Sequence, residues 1–174
     1  MRISSQEEIQ RQVGKILREN DVLRPPVPVE KIAERYGIEV RYESAEDELS
    51  GALIRKGNEV VIGVNASHHP NRQRFTIAHE IAHFLLHDGV EMHVDQDFRV
   101  NLRDQRSSEA VSREEIQANG FAAELLMPKE FIVRDIRRFP AVDEAVKERL
   151  ANRYRVSKRA MELRLANLGL DSPI

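Results

Sequence analysis

The stretch RFTIAHEIAHFLLH, residues 74–87, places two histidines four residues apart in an apolar segment with helical periodicity. On a helix, His79 and His83 project from the same face, one turn apart. Both imidazoles can then reach one zinc ion. Glu80 lies about 100° further around the helix, where it can take a proton from a water that the zinc activates. The stretch therefore predicts a metal-binding helix, running from Pro70 to His87.

A catalytic zinc site needs a third protein ligand and one open position. His87 follows on the same helix, but ligands at i, i+4 and i+8 span about 12 Å and cannot converge on one ion. A second predicted helix, residues 112–127, offers Glu114 and Glu115 near its start. Either glutamate could be a metal ligand, or both could be there because acidic residues favour a helix N-terminus. The spacing alone does not distinguish these two explanations. Weaker ligand candidates are Glu91, His93 and Asp95.

The composition limits the chemistry and the setting of the chain. The 174 residues contain no cysteine, so a metal must be held by histidine and carboxylate. Hydrophobic residues make up 41% and charged residues 32%, an ordinary balance for a globular domain. The N-terminus lacks the apolar core of a signal peptide, and no apolar run approaches the roughly 18–20 residues that span a bilayer. We therefore expect a cytoplasmic protein with no membrane segment.

The remaining pattern predicts an α+β fold. Three short strands are expected, separated by turn residues, and we interpret them as a small antiparallel three-stranded meander: residues 38–42, 52–55 and 60–64. Residues 96–112 are polar and aperiodic, which predicts a loop, with room for a short edge strand at residues 98–102. Ser112 and Glu115 have the spacing of a capping box, which places a helix start at Ser112.

Helices account for the rest of the predicted fold. Beside the two helices of the site, apolar spacing predicts helices at residues 7–17 and 29–36, another around residues 131–136, and two more within 143–168, with a break near 155–157. We expect residues 1–130 to form one core domain, in which the sheet packs against a mainly helical part. Residues 131–174 would form a C-terminal helical subdomain, packed on that core and resembling a helix-turn-helix.

Two sequence blocks together resemble the ImmA/IrrE family of metallopeptidases: RFTIAHEIAHFLLH, and EEIQANGFAAELLMP at residues 114–128. The resemblance extends to PVPVEKIAERYGIEV at residues 26–40 and LANRYRVSKRAMELRLANLGL at residues 150–170, and so covers nearly the whole chain. It implies a zincin-like core of the minimal gluzincin type. The third ligand of the family lies three residues before an Ala-Asn pair, which selects Glu115 over Glu114. Asn119 is then a possible hydrogen-bond partner for that carboxylate.

The resemblance implies a complete site and a function. His79, His83 and Glu115 would hold Zn2+, and Glu80 would act as the general base of an endopeptidase. Members of the family typically cleave a cytoplasmic helix-turn-helix repressor or an antitoxin-like regulator, which releases genes for stress response or mobile-element transfer. The alternative is a metal-dependent regulatory or toxin–antitoxin interaction protein that does not cut its partner. Three residues are candidates for stabilising the oxyanion: Tyr42, His93 and Tyr154.

The segment from Lys147 to Arg164 suggests a rival function. It carries seven Lys or Arg residues, and its apolar and small residues are spaced as in a helix-turn-helix. A DNA-binding regulator is therefore a second hypothesis. A solvated helical face, a docking surface for a protein partner, or a structural lid over the active-site helices explains the same charges, and the net charge of −2 gives no general argument for nucleic acid.

Overall fold

The computed structural model of the chain describes residues 6–87, 91–96 and 105–171. Within these ranges, the α+β class predicted from sequence is confirmed. The helices are α1 (Gln6–Glu19), α2 (Val29–Arg35), α3 (Pro70–Leu86), α4 (Gln105–Leu126), α5 (Lys129–Ile136), α6 (Glu144–Tyr154) and α7 (Lys158–Asn167). The strands are β1 (Ile38–Glu43), β2 (Leu49–Lys56), β3 (Glu59–Asn65) and β4 (Met92–Gln96). None of the helices in these ranges is both long and apolar enough to cross a membrane.

The described residues group into two compact units. One unit runs from Val29 to Ala122, and the other combines the residues up to Pro28 with those from Ala123 onward. The first unit, which we call the sheet unit, contains the four strands together with α2, α3 and most of α4. The second, which we call the helical unit, contains α1, α5, α6 and α7. The four residues of the predicted metal site therefore all belong to the sheet unit: His79, Glu80, His83 and Glu115.

Within the described residues the sheet is mixed and has four strands, so the prediction of a three-stranded antiparallel meander is wrong. The strand order is β1-β3-β2-β4, with β1 parallel to β3 and β2 antiparallel to both of its neighbours. Only β2 and β3 form the expected hairpin, around Gly57. The connection between β1 and β2 is held instead by Asn65, whose amide donates to the carbonyls of Ala45, Glu46 and Leu49. Period-two alternation identifies strands but not their partners.

Close packing fixes the position of α3 on the sheet. Ile62 and Leu53 are buried on the inner face of the sheet, and Ile77 and Ile81 are buried on α3. Gly51 is required at this contact, because a Cβ there would collide with the Thr76 methyl group and lie 2.6 Å from the carbonyl oxygen of Gly63. The helix that carries the histidines therefore rests directly on the backbone of the sheet.

The segment between the two motif helices differs from its prediction. Strand β4, residues 92–96, was missed, and the edge strand expected at residues 98–102 lies outside the described residues. Helix α4 begins at Gln105, so Ser112 is within the helix and the predicted capping box is wrong. The sequence QRSSEAVS at residues 105–112 has little apolar periodicity, and periodicity is the signal from which helices are recognised.

The C-terminal helices follow the predicted pattern more closely. The expected break appears between α6 and α7, where Arg155 adopts a left-handed conformation with φ +54° and closes α6. The side chain of Ser157 then accepts a hydrogen bond from the backbone N–H of Ala160 and caps α7. Local residue chemistry is sufficient to define this helix pair.

Candidate metal centre

Helix α3 buries the three polar side chains of the HExxH motif. His79, Glu80 and His83 are exposed by only 2%, 0% and 4%. Burial of ionisable groups is costly unless they are paired with each other or with an ion. At the end of α3, the Arg55 guanidinium donates to the carbonyl oxygens of His83, Phe84 and His87. This contact satisfies carbonyls that the helix leaves open and fixes its last turn.

Two imidazole nitrogens from α3 and one carboxylate from α4 form a small triangle of three groups. His79 Nε2 and His83 Nε2 are 3.0 Å apart. Glu115 Oε2 lies 3.2 Å from His79 Nε2, and Glu115 Oε1 lies 3.2 Å from His83 Nε2. Nitrogen and oxygen ligands at 2.0–2.1 Å from a tetrahedral zinc ion are about 3.3 Å apart. The spacing therefore suits three ligands on one face of such an ion.

The far sides of both imidazoles are hydrogen-bonded, which fixes how they point. His79 Nδ1 lies 3.0 Å from Asn119 Oδ1, and an amide oxygen can only accept, so this nitrogen donates. His87 Nε2 is 3.1 Å from Gln117 Oε1 and donates for the same reason. The other nitrogen of His87 then accepts from His83 Nδ1, at 3.1 Å. Both Nε2 lone pairs are consequently directed at the centre of the triangle, where they attract a cation.

The ionisation of the cluster fits this arrangement. Burial lowers the pKa of His83 to about 4, although the neighbouring Glu115 carboxylate acts in the opposite direction. A histidine must be neutral to bind a metal, so the lowered pKa favours ligation. Burial by itself would raise the pKa of Glu115, but its contacts with three imidazoles outweigh this effect and hold the pKa far below its usual range. Glu115 is thus a carboxylate at neutral pH.

A fourth side chain, His93 on β4, joins the cluster. His79, His83, His93 and Glu115 each offer a ligand atom, and these atoms all lie within 4.8 Å of one another. His93 Nδ1 is 3.0 Å from Glu80 Oε2, and His93 Nε2 is 2.9 Å from Glu115 Oε1. Burial would lower the pKa of His93, but its bonds to the two carboxylates raise it to about 10.

The other residues singled out from sequence lie elsewhere. Among the described residues, the metal-ligating group includes Glu115 and excludes Glu114. Glu91 is exposed, and its carbonyl accepts from the backbone of Arg55; the side chain of Asp95 lies outside the described residues. The Tyr42 hydroxyl donates to Glu30, and the Tyr154 hydroxyl donates to Asp135 in the helical unit. Of the three oxyanion candidates, His93 is the one in the cluster.

Sequence reasoning missed most of the outer contacts of the site. Asn119 contacts His79, rather than the carboxylate of Glu115. The contact between His87 and Gln117 joins residues 30 positions apart. His87 did carry a signal, since it lies four residues after His83 on the same helix, but periodicity gave no indication of Gln117.

The basic segment at residues 147–164 is extensively paired within the helical unit. Lys147 and Lys158 both contact Glu144, and Arg153 contacts Asp135. Arg164 is buried against Glu124. These internal ion pairs reduce the positive charge that the segment could offer to a phosphate backbone, on which nucleic-acid affinity depends.

The fold and the cluster define an α+β protein in which two helices and a strand bring together histidines and a glutamate that could hold a metal ion. Residues 33–166 match the model of the family described as the IrrE N-terminal-like domain. The chain belongs to this family, which confirms the resemblance seen in the sequence.

Two curated relatives are the radiation response metalloproteases IrrE of Deinococcus deserti and Deinococcus radiodurans. They are 40% and 37% identical to the chain over 98 residues, which is 56% of this chain and 32% and 28% of theirs. The chain thus spans about a third of the length of these relatives. A solved structure of a Mycobacterium tuberculosis transcriptional regulator matches 92% of this chain and 46% of its own, with a TM-score of 0.66 and 17% identity. That likeness concerns the fold alone.

Proposed function

We propose that the chain is a zinc-dependent endopeptidase in which His79, His83 and Glu115 hold the ion. The supporting observation is the triangle of two imidazole nitrogens and one carboxylate, with contacts of 3.0–3.2 Å and both imidazole lone pairs directed at its centre. Two lone pairs and a carboxylate at this distance repel one another unless a proton or a cation lies between them. Membership in a peptidase family supports the same reading.

Glu80 is the general base in this proposal. The zinc ion would polarise the scissile carbonyl and lower the pKa of a water molecule to about 7. Glu80 accepts a proton from that water as the water oxygen bonds to the carbonyl carbon. The same carboxyl then gives the proton to the amide nitrogen as the C–N bond breaks, so that a carboxylic acid and an amine leave. Its contact with His93 shows that the Glu80 carboxylate faces the cluster.

The proposed substrate is a cytoplasmic helix-turn-helix repressor or an antitoxin-like regulator. This assignment comes from the family resemblance, and the names of the two Deinococcus relatives, as radiation response metalloproteases, are compatible with a stress-linked role. A peptidase that acts on a regulator needs no DNA contact of its own, in keeping with the internal pairing of the basic segment.

The test is metal analysis combined with co-incubation of the chain and the repressor encoded beside it. The wild type should bind about one zinc per chain and cut the repressor, and a chelator should abolish cutting. Glu80→Gln should retain zinc and lose about 10²–10⁴-fold in rate, the usual contribution of general base catalysis.

Two variants of neighbouring acids on α4 provide the matched control. Glu115→Gln should lose zinc affinity and activity together, because it removes a proposed ligand. Glu114→Gln changes the same chemical group one residue earlier, outside the cluster, and should behave as the wild type. An intact repressor under every metal and activating condition, with zinc bound, would favour the interaction protein that does not cut its partner.

A further inference from the structure

His93 occupies an unusual position between two carboxylates of different proposed roles. One ring nitrogen lies 3.0 Å from Glu80, the proposed base, and the other lies 2.9 Å from Glu115, the proposed ligand. The side chain is only 18% exposed. Its ligand atom falls within the same 4.8 Å group as those of the proposed ligands.

The orientation of the ring argues against a fourth ligand. The rings of His83 and His93 are stacked, with centroids 3.7 Å apart and planes 23° from parallel. Two imidazoles on vertices of one tetrahedral ion point toward a common centre and diverge behind it. The pair His79 and His83 shows this divergence, with centroids 4.7 Å apart and planes at 60°. His93 instead lies face to face with a ligand and directs both nitrogens at carboxylates.

The strand that carries His93 holds it in this place. His93 pairs with Leu53 of β2, which is 1% exposed, so both side chains share the face of the sheet that α3 covers. Met92 and Val94 alternate to the opposite face and are 57% and 41% exposed. The register of β4 therefore determines that the histidine, and neither of its neighbours, enters the site.

We propose that His93 is a positioning residue that orients both Glu115 and Glu80 through its two ring nitrogens. Its contact with Glu115 Oε1 favours one fixed orientation of the carboxylate toward the ion. Its contact with Glu80 Oε2 restricts rotation of the general base. Hydrogen-bonded partners of metal ligands commonly contribute 10- to 100-fold to metal affinity or activity. This inference rests on the proposed function for the role of Glu80, while its claim about Glu115 concerns metal binding alone.

The test compares three variants in zinc affinity, in the visible spectrum of the Co2+ form, and in kcat and KM. His93→Phe keeps a ring that can stack on His83 but removes both nitrogens. It should weaken zinc binding about 10- to 100-fold, lower kcat and leave KM nearly unchanged. His93→Gln keeps an amide that can donate and should recover part of both losses. Met92→Ala, on the exposed face of the same strand, should match the wild type.

A double variant separates the two contacts. If His93 affects kcat by orienting Glu80, then His93→Phe should reduce kcat much less in a Glu80→Gln background than in the wild type. Wild-type zinc affinity in His93→Phe would overturn the proposal and point to direct contact with substrate. Loss of a nitrogen donor from the Co2+ spectrum would also overturn it, since His93 would then be a ligand. If the wild type cuts no regulator, the proposed function fails, but the affinity comparison still decides the contact with Glu115.

Discussion

Carboxylates that are buried or half-buried occur in both units of the chain, but they are neutralised in different ways. In the helical unit, Glu124 is paired with Arg164, and Asp135 accepts from Arg153 at 2.8 Å. In the sheet unit, the groups within hydrogen-bond distance of Glu115 are three imidazoles. One unit thus balances its buried negative charge with guanidinium groups, and the other balances it with histidine.

The difference separates a structural ion pair from a metal site. A guanidinium is charged at every accessible pH and has no lone pair to offer. A buried arginine pair is therefore complete within the chain. A neutral imidazole contributes an acceptor rather than a charge, so the neutral imidazoles of the proposed ligands can still bind a cation together with the Glu115 carboxylate. An acidic side chain can therefore be part of the scaffold or part of a metal site, depending on whether arginine or histidine contacts it.

Removal of a guanidinium should give the largest change in stability. Arg164→Met would leave the Glu124 carboxylate buried without its partner and would also remove the hydrogen bond to the Met127 carbonyl. Breaking one side of a buried ion pair usually costs about 3–5 kcal/mol. We expect urea denaturation to show that loss in the free energy of unfolding, with zinc affinity unchanged.

The double variant Glu124→Leu, Arg164→Met is the control for this prediction. Replacing both partners leaves no unpaired charge, so it should be more stable than Arg164→Met. Part of the loss should persist, because Glu124 also accepts from the backbone N–H of Lys129 at the start of α5. A double variant no more stable than the single would show that the cost lies in packing rather than in an unpaired carboxylate.

In the sheet unit, an equivalent change should alter metal binding rather than folding. Asn119→Ala removes the acceptor that directs His79 Nδ1, and with it the constraint on the ligand nitrogen. Zinc affinity should fall about 10- to 100-fold, measured by competition with a chelator, while the metal-free protein keeps nearly its full stability. Asn152→Ala, at an exposed position of α6, is the matched control. Equal affinities in the two variants would exclude Asn119 from the metal centre.

The sequence predicted the parts of the site that depend on local spacing. Helical periodicity was sufficient for His79, Glu80 and His83, and the family resemblance selected Glu115 on the second helix. His93 was recognised only as a weak candidate, because its place depends on β4 pairing with β2 about 40 residues earlier in the chain. The alternation of apolar and polar residues within a strand does not indicate which other strand it pairs with. The same reason explains the incorrect strand order.

The start of α4 was missed for a different reason. Residues 105–112 carry little apolar periodicity, and Ser112 with Glu115 has the spacing of a capping box. Serine and glutamate three residues apart are also common within a helix, where side chains at i and i+3 are neighbours. A short motif of this kind indicates a helix more reliably than it indicates where the helix begins.

The smallest expected effect comes from a neutral group in the helical unit. Tyr154 is fully buried, and its hydroxyl donates to Asp135 at 3.0 Å. Tyr154→Phe should lower the free energy of unfolding by about 1 kcal/mol, since Arg153 still pairs with the carboxylate. Tyr42→Phe removes a similar hydrogen bond from an exposed site and should cost less.

The alkaline limb of the stability profile distinguishes this hydroxyl from simple packing. Burial raises the pKa of Tyr154 above its ordinary value, and the charge of Asp135 raises it further. The folded state therefore keeps a proton that the unfolded chain loses above about pH 10. The contribution of Tyr154 to the free energy of unfolding is therefore fully present below about pH 10 and declines above it. Unfolding measured from pH 8 upward should show a smaller decline in Tyr154→Phe than in the wild type; parallel profiles would mean that the phenol ionises equally in both states.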